Sequence, residues 1–395
     1  MHNELTDRQK AIALRLAGET IESICGALKR TRQWFHKWWQ RYLTAGPEGL
    51  YDLTRANHRV VNRVPPHIER AILSVRRCLE ARATPQTRYT LMGAPSIRQE
   101  LEALHLTPLP SLRTIERVLE RASLTSPPLR LARRLAQTEY PGPKAHDSNQ
   151  VHQVDVVGPR YLKGDRTTYY FLVCKDTFDQ AVYVEFVASR EMEHILTFLV
   201  HAWQRLGLPD KVQFDNGREF CGWGRWPRSL SRVIRMCLRL EVEPVFIPEG
   251  RPQRNGSVEH FNGWFQPVLL GHRFRTPAQV RREVARMIDA VNGRHVHPQL
   301  GYQTPAQYRR GKRLRKLPAK FALDEQPIPV AAGKVTFIRL VSAQGDIRIL
   351  GEKLRVSKRL KFQYVRATLS TEHQVVKVYH NGRLIRRLGY KLRTK

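Results

Sequence analysis

The stretch from about 151 to 247 constrains this 395-residue chain most, because its apolar pattern changes period part-way along. Runs near 151–157, 167–175 and 181–187 have strand length and are rich in Val, Phe, Tyr and Leu. A helix follows from Glu191 to Leu206, then a strand at 211–215, a helix near 228–240 and a strand at 242–247, with helices near 256–270 and 277–292 closing the segment. Three strands in succession before alternating helices and strands predict a mixed sheet covered on both faces. In open α/β sheets ligands gather at the carboxyl ends of strands, so the residues that close these runs are where chemistry is expected.

Carboxylates stand at those places. Asp155 closes the apolar run Val151-His-Gln-Val-Asp155-Val-Val, and Asp215 closes Lys211-Val-Gln-Phe-Asp215-Asn-Gly. Glu259 lies in Pro252-Gln-Arg-Asn-Gly-Ser-Val-Glu259-His-Phe-Asn262, where a polar loop opens a helix. Any one of these acids alone is more often a turn or cap residue. Together they suit hard divalent ions, which take oxygen ligands and can, as a pair about 4 Å apart, clamp both oxygens of an in-line phosphoryl displacement. Asp165, after Lys163-Gly164, and Asp176, beside Thr177, flank the second strand and read as turn residues instead.

An Asp in the first strand, Asp-Asn-Gly after a later strand and Pro-Gln-x-Asn-Gly-x-x-Glu-x-x-Asn, in that order, resemble the DDE catalytic core of bacterial insertion-sequence transposases and retroviral integrases. The acids are separated by 59 and then 43 residues. The second gap is longer than is usual in the family, and Cys221-Gly-Trp-Gly-Arg-Trp-Pro227 is the expected insertion. His152 is a second departure, standing where relatives often have Trp.

The resemblance implies a ribonuclease H-like core and makes Asp155, Asp215 and Glu259 ligands for Mg²⁺ or Mn²⁺, two ions in all. Asn216, Gln253, Asn255, Gly256 and Asn262 become supporting or loop-shaping residues. It further implies a DNA transposase that hydrolyses transposon ends to a 3′-hydroxyl and joins that hydroxyl to target DNA. The expected partners are double-stranded DNA, both terminal repeats and target, and further copies of the chain, at least a dimer with a tetramer expected. It leaves room for an accessory ATPase, and implies a cytoplasmic, nucleoid-associated protein in a bacterium. Two other readings remain open: a metal nuclease or resolvase on the same fold, and a DNA-binding regulator derived from a transposase.

Composition points the same way independently. The chain has 68 Lys plus Arg against 35 Asp plus Glu, a formal charge of +33, which suits a polyphosphate partner. A membrane surface would attract the same charge, but no apolar stretch approaches the roughly 20 residues of a spanning helix, and the first residues lack a signal peptide's apolar core. Five cysteines without a Cys-x-x-Cys pair make zinc and a disulfide framework unexpected. His295-Val-His297 reads as a polar loop feature.

Residues 1–60 read as three short helices: Thr6 to Leu16 after a Thr cap, Ile21 to Leu28 after Thr20, and a third from Thr31 to Tyr42. This spacing resembles a helix-turn-helix, with Arg32, Gln33, His36 and Lys37 facing DNA and Trp34, Phe35 and Trp38 in the core. A helical module that binds protein is the alternative.

A second, winged helix-turn-helix is expected over 64–125. A helix from Pro66 to Arg82 has Ile68, Ile72, Val75 and Leu79 as its stripe, followed by helices at 95–104 and 111–121 that present Arg113 and Arg117 to DNA. A packing spacer is the plainer reading.

Residues 126–148 form a basic linker, 149–311 the catalytic core and 312–329 a second basic linker. From 330 to 395 period-two alternation and the turn Asn381-Gly382 predict a small SH3-like β-barrel. Lys312 to Lys395 holds 21 Lys or Arg and 5 Asp or Glu, a charge suited to DNA backbone without sequence reading.

Overall fold

A computed structural model describes residues 4–53, 64–84, 87–125, 140–221, 226–321 and 327–393. The chain divides into two compact units, Met1–Val64 and Pro65–Lys395.

The first unit contains α1 (Glu4–Leu16), α2 (Ile21–Leu28) and α3 (Arg32–Ala45). Thr20 and Thr31 cap α2 and α3 by accepting the backbone N–H of Ser23 and Trp34, which removes orphan donors at each start. Thr6 is no cap: α1 already includes Glu4, so Thr6 sits inside the helix. Lys29, at φ 51, ends α2 in the left-handed region and turns the chain towards α3. Ala11, Ile24, Cys25 and Phe35 form one core cluster, and Ile12, Trp38 and Leu50 another. Arg8 is only 3% exposed, with its guanidinium 3.7 Å from the centre of the Trp38 ring and donating to the Leu50 carbonyl at 2.9 Å.

The second unit opens with α4 (Pro66–Ala81), α5 (Ala94–Ala103) and α6 (Leu112–Arg121), which contact one another. Ile68, Ile72, Val75 and Leu79 are buried, as their spacing predicts. The described residues of 64–125 contain no strand, so the expected wing has no counterpart among them.

A nine-stranded sheet follows, with neighbours in the order β11-β10-β9-β6-β5-β4-β1-β2-β3. Its core part is β1 (Val151–Arg160), β2 (Tyr169–Asp176), β3 (Val182–Val187), β4 (Lys211–Phe214) and β5 (Glu243–Phe246). The first three are antiparallel, whereas β1, β4 and β5 are parallel, which is the mixed sheet expected. On one side α7 (Met192–Leu206) and α9 (Arg232–Arg239), with the short α8 (Arg218–Cys221) in contact with both, bury Leu199, Trp203 and Ile234. On the other, α10 (Gly256–Leu270) and α11 (Pro277–Arg294) bury Phe261, Phe265, Val284 and Met287. The short α12 (Pro305–Arg309) closes the core.

The small C-terminal β region comprises β6 (Lys334–Leu340), β7 (Asp346–Ile349), β8 (Glu352–Arg355), β9 (Tyr364–Ser370), β10 (Val375–His380) and β11 (Arg383–Gly389). Asn381 and Gly382 take φ 47 and 78 in the β10–β11 turn, the geometry an Asn-Gly hairpin requires. β6 runs parallel to β5, pairing Val245 with Thr336 and Phe246 with Phe337, so this region continues the core sheet. Within the second expected linker, Arg315 O accepts from Leu208 N at 2.8 Å and Pro318 O from the Gln204 amide at 3.0 Å. The described part of that linker is therefore fastened to the core.

Candidate active site

The parallel register of β1 and β4 brings the first two acids together. Val151, His152 and Gln153 stand opposite Lys211, Val212 and Gln213. Continued two residues further, that register sets Asp155 level with Asp215 on strands about 4.8 Å apart. β4 ends at Phe214, one residue short of the expected strand, so Asp215 lies just beyond it, whereas Asp155 is in the middle of β1. The reason is pairing: β1 stays on β2 through Val157 and, after an irregularity, Arg160, so the strand outlasts its apolar run.

Side chains of the strands seat the helix that bears Glu259. Gln153 Oε1 accepts the backbone N–H of Val258 at 3.0 Å, and Gln213 Nε2 donates to Arg254 O at 3.0 Å and Asn255 Oδ1 at 3.2 Å. Lys175 Nζ donates to Ser257 O at 3.0 Å, and Asn255 Nδ2 donates to Val154 O at 3.2 Å. One turn beyond Glu259, Asn262 Nδ2 donates to Asp155 Oδ2 at 2.6 Å.

The electrostatics fit a cation-seeking site. Burial, then the charge of Asp215, and further that of Glu259, push the Asp155 carboxyl up to about 6, against hydrogen bonds from Val156 and Asn262. Burial also raises Asp215, opposed by the Gly217 N–H and assisted by the charge of Glu219, and burial raises Glu259. Carboxylates pressed towards protonation by burial and one another gain from a nearby cation. Among the described residues, no three His, Cys, Asp or Glu side chains converge closely enough to ligate one ion together. The acids are all oxygen donors, and Mg²⁺ commonly takes one or two carboxylates and completes its shell with water and phosphate. The donor set therefore fits divalent ions shared with a substrate.

The other expected site residues divide. Asn216 donates to Ile247 O at 2.5 Å and accepts from Arg339 at 2.8 Å, so it anchors the turn after Asp215. Asn255 and Asn262 bind β1 directly. Gly256 is exposed and right-handed, with open space where a Cβ would stand, so the backbone gives no reason for glycine there. The Gln253 side chain and the expected insertion at 222–225 lie outside the described residues. Arg32, Gln33, His36 and Lys37 are all exposed on α3, with Arg32 ion-paired to Glu22. Arg113 and Arg117 are exposed on α6, and Arg113 pairs with Glu116 at 3.2 Å.

Several residues went unnoticed in the sequence. Gln153 and Gln213 had a visible signal, since Gln-x-Asp occurs at both acids. Arg339 had none: in a basic tail it looks like one more surface charge, yet it is 6% exposed and donates to the carbonyls of Ile247, Ile338 and Arg348. Asp176 is more than a turn residue. It accepts from Phe178 N, but it is fully buried and ion-paired with Arg309 at 2.8 Å. His295 is likewise no loose loop residue, being 4% exposed and 2.6 Å from Tyr89 O.

The mixed sheet and its flanking helices match an integrase-type core. Residues 145–252 match a family described as Integrase core domain, 240–305 match a second family of that description, and 2–51 match a Homeodomain-like domain. The chain is 26% identical over 165 residues to an uncharacterized 31.7 kDa protein of insertion element IS407 from Burkholderia multivorans, covering 40% of this chain and 55% of that one. It is 31% identical over 103 residues to a 39.2 kDa protein of insertion element IS476 from Xanthomonas euvesicatoria, covering 26% and 28%. These matches give residues 145–305 an integrase core domain and make the chain similar to proteins of two bacterial insertion elements. The chain spans about half the length of the first relative and under a third of the second. Solved structures similar to it include the HTLV-2 integrase catalytic core in complex with magnesium, at 22% identity and a TM-score of 0.34 over 42% of this chain and 99% of that one. Another is a simian T-cell lymphotropic virus intasome bound to a PP2A regulatory subunit, at 16% identity and a TM-score of 0.38 over 78% and 97%. Among the described residues no helix is long and apolar enough to cross a membrane.

Proposed function

We propose that this chain is a DDE transposase, which cuts the ends of its element to free a 3′-hydroxyl and joins that hydroxyl to target DNA. The observation that carries this reading is the placement of Asp155 on β1 and of Asp215 just beyond its parallel neighbour β4, near enough for the charge of Asp215 to raise the Asp155 carboxyl, with Asn262 of the Glu259 helix bonded to Asp155. Asp155, Asp215 and Glu259 would hold Mg²⁺ or Mn²⁺, two ions in the working complex. Bound there, the ions would supply Lewis-acid activation of the attacking oxygen and charge neutralisation at the leaving one.

The protein's own part is positioning. Asn262 holds the Asp155 carboxylate, Asn216 and the Gly217 N–H hold the Asp215 turn, and the glutamines hold the Glu259 helix against the sheet. The exposed face of α3, with Arg32, Gln33, His36 and Lys37, would read element ends, assisted by Arg113 and Arg117 in a second reader over 64–125. The C-terminal region would hold DNA backbone through charge. Joining two ends calls for at least a dimer.

Incubation with the flanking element ends, Mg²⁺ and a plasmid, followed by sequencing of joined products, tests the reading. Asp155→Asn, Asp215→Asn and Glu259→Gln should each abolish cutting and joining while leaving end binding intact. Cut ends without any joined product would favour a nuclease.

A further inference from the structure

The loop before α10, held by Gln213 of β4, presents a cation with no carboxylate partner among the described residues. Arg254 has its guanidinium carbon 4.4 Å from the centre of the Tyr140 ring and 5.2 Å from that of Tyr364 on β9. The two rings meet edge to face at 5.4 Å. Arg254 is half-buried, and none of the ion pairs among the described residues uses it. Among the described residues, two polar atoms here are buried without a partner, the Tyr140 hydroxyl and Arg254 Nε. Both are donors, or can be, and buried donors left without acceptors are uncommon unless a water or ligand supplies one. The place is tied to the chemistry: Gln213, two residues before Asp215, holds Arg254 O, and the next residue, Asn255, binds Val154 O beside Asp155.

A structural role alone, pinning the loop to β9 by cation–π contact, would explain the stacking but not the unmet donors. Resting on the transposase reading, we propose that Arg254, backed by Tyr140 and Tyr364, is a subsite for one backbone phosphate of the DNA strand that enters the acidic site. A planar guanidinium whose face is covered by aromatic rings keeps its N–H edge for an anion, and phosphate accepts that fork in bidentate geometry.

The test uses the full chain without divalent cation, so that binding is read without chemistry. The probe is a forked DNA duplex whose 3′ strand ends in unpaired thymidines, together with versions carrying one neutral methylphosphonate at successive positions. Arg254→Ala should weaken binding of the unmodified probe about tenfold and lower the salt slope by about one phosphate. At one methylphosphonate position wild type and variant should bind alike, while elsewhere the difference persists. Tyr140→Phe removes only a hydroxyl, so it keeps the test valid if the alanine variant folds poorly; it should show a smaller, several-fold loss that vanishes at the same position. A difference that is equal on every probe, or no difference at all, would overturn the subsite. A wild-type chain that shows the position-specific loss yet never joins ends would sink the transposase reading and leave the subsite standing.

Discussion

Gln153 and Gln213 face each other across the parallel β1–β4 pair, each two residues before an acid and each bonded to the first residues around the start of α10. The same pair of strands thus supplies Asp155 and Asp215 and fixes where Glu259 begins its helix. Gln153→Ala would leave the buried amide of Val258 without its acceptor, at a cost of about 1–3 kcal/mol. The expected result is a folded protein with strongly reduced cutting and a raised Mg²⁺ requirement, and Gln153→Glu, which still accepts, should recover part of it. Unchanged Mg²⁺ titrations in both variants would remove the positioning role.

His295 gives the second unit an acid-sensitive seam. Burial, against its hydrogen bond to Tyr89 O, pushes its imidazole down to about 4, and His297 likewise. The unfolded chain binds the proton more tightly, so this stability is complete above the ordinary value of 6.5 and is lost as pH falls towards about 4. For His295 the loss is on the order of 3 kcal/mol. Denaturation midpoints measured across this window should fall in wild type and fall less in His295→Gln. Parallel profiles for the two proteins would contradict the assignment.

Two acids expected to be mere turn residues should now behave differently. Asp165 accepts from Thr167 N and the Tyr169 hydroxyl at a half-exposed turn, so Asp165→Ala should keep activity and melt close to wild type. Asp176 is buried with Arg309, Asp179 and His152 around it, and removing one side of such a pair costs about 3–5 kcal/mol. Asp176→Ala should therefore melt well below wild type, as calorimetry would record. A variant that is fully stable but inactive would instead make Asp176 a participant in the chemistry.

Removal of Met1–Val64 should separate sequence reading from backbone binding. The cut belongs at the boundary between the two units, because residues further on are bound into the second: Tyr89 and Arg88 bond Glu283 at 2.8 and 3.0 Å. The shortened chain should bind DNA with steep salt dependence and little preference for element ends. Retained end preference in footprinting would move the reading function to 64–125.

Much of the molecule was legible because its signals are local. The period change after Val187 predicts the mixed sheet, and Asp-Asn-Gly with Pro-Gln-x-Asn-Gly points to the acids. Illegible features depend on partners far along the chain. Asp155 looked like a strand end because only its own run was visible, whereas its pairing with Val173 continues the strand. Arg339 is understood only once residues 92 positions earlier supply the carbonyl it binds. The helical spacing of α3 showed which residues are exposed, but exposure alone names no base.

The pairing of β6 with β5 makes the basic C-terminal strands part of the same hydrogen-bonded plate as Asp215. A module on a flexible tether can be exchanged between relatives by cutting the tether. Here an exchange would have to match an exposed parallel edge, the register of Thr336 and Phe337, and a buried arginine reaching back to Asn216. Natural or laboratory recombinants that swap the tail should therefore succeed only when the crossover also takes the segment around Asp215 and β5, so that two regions distant in sequence are inherited as one piece.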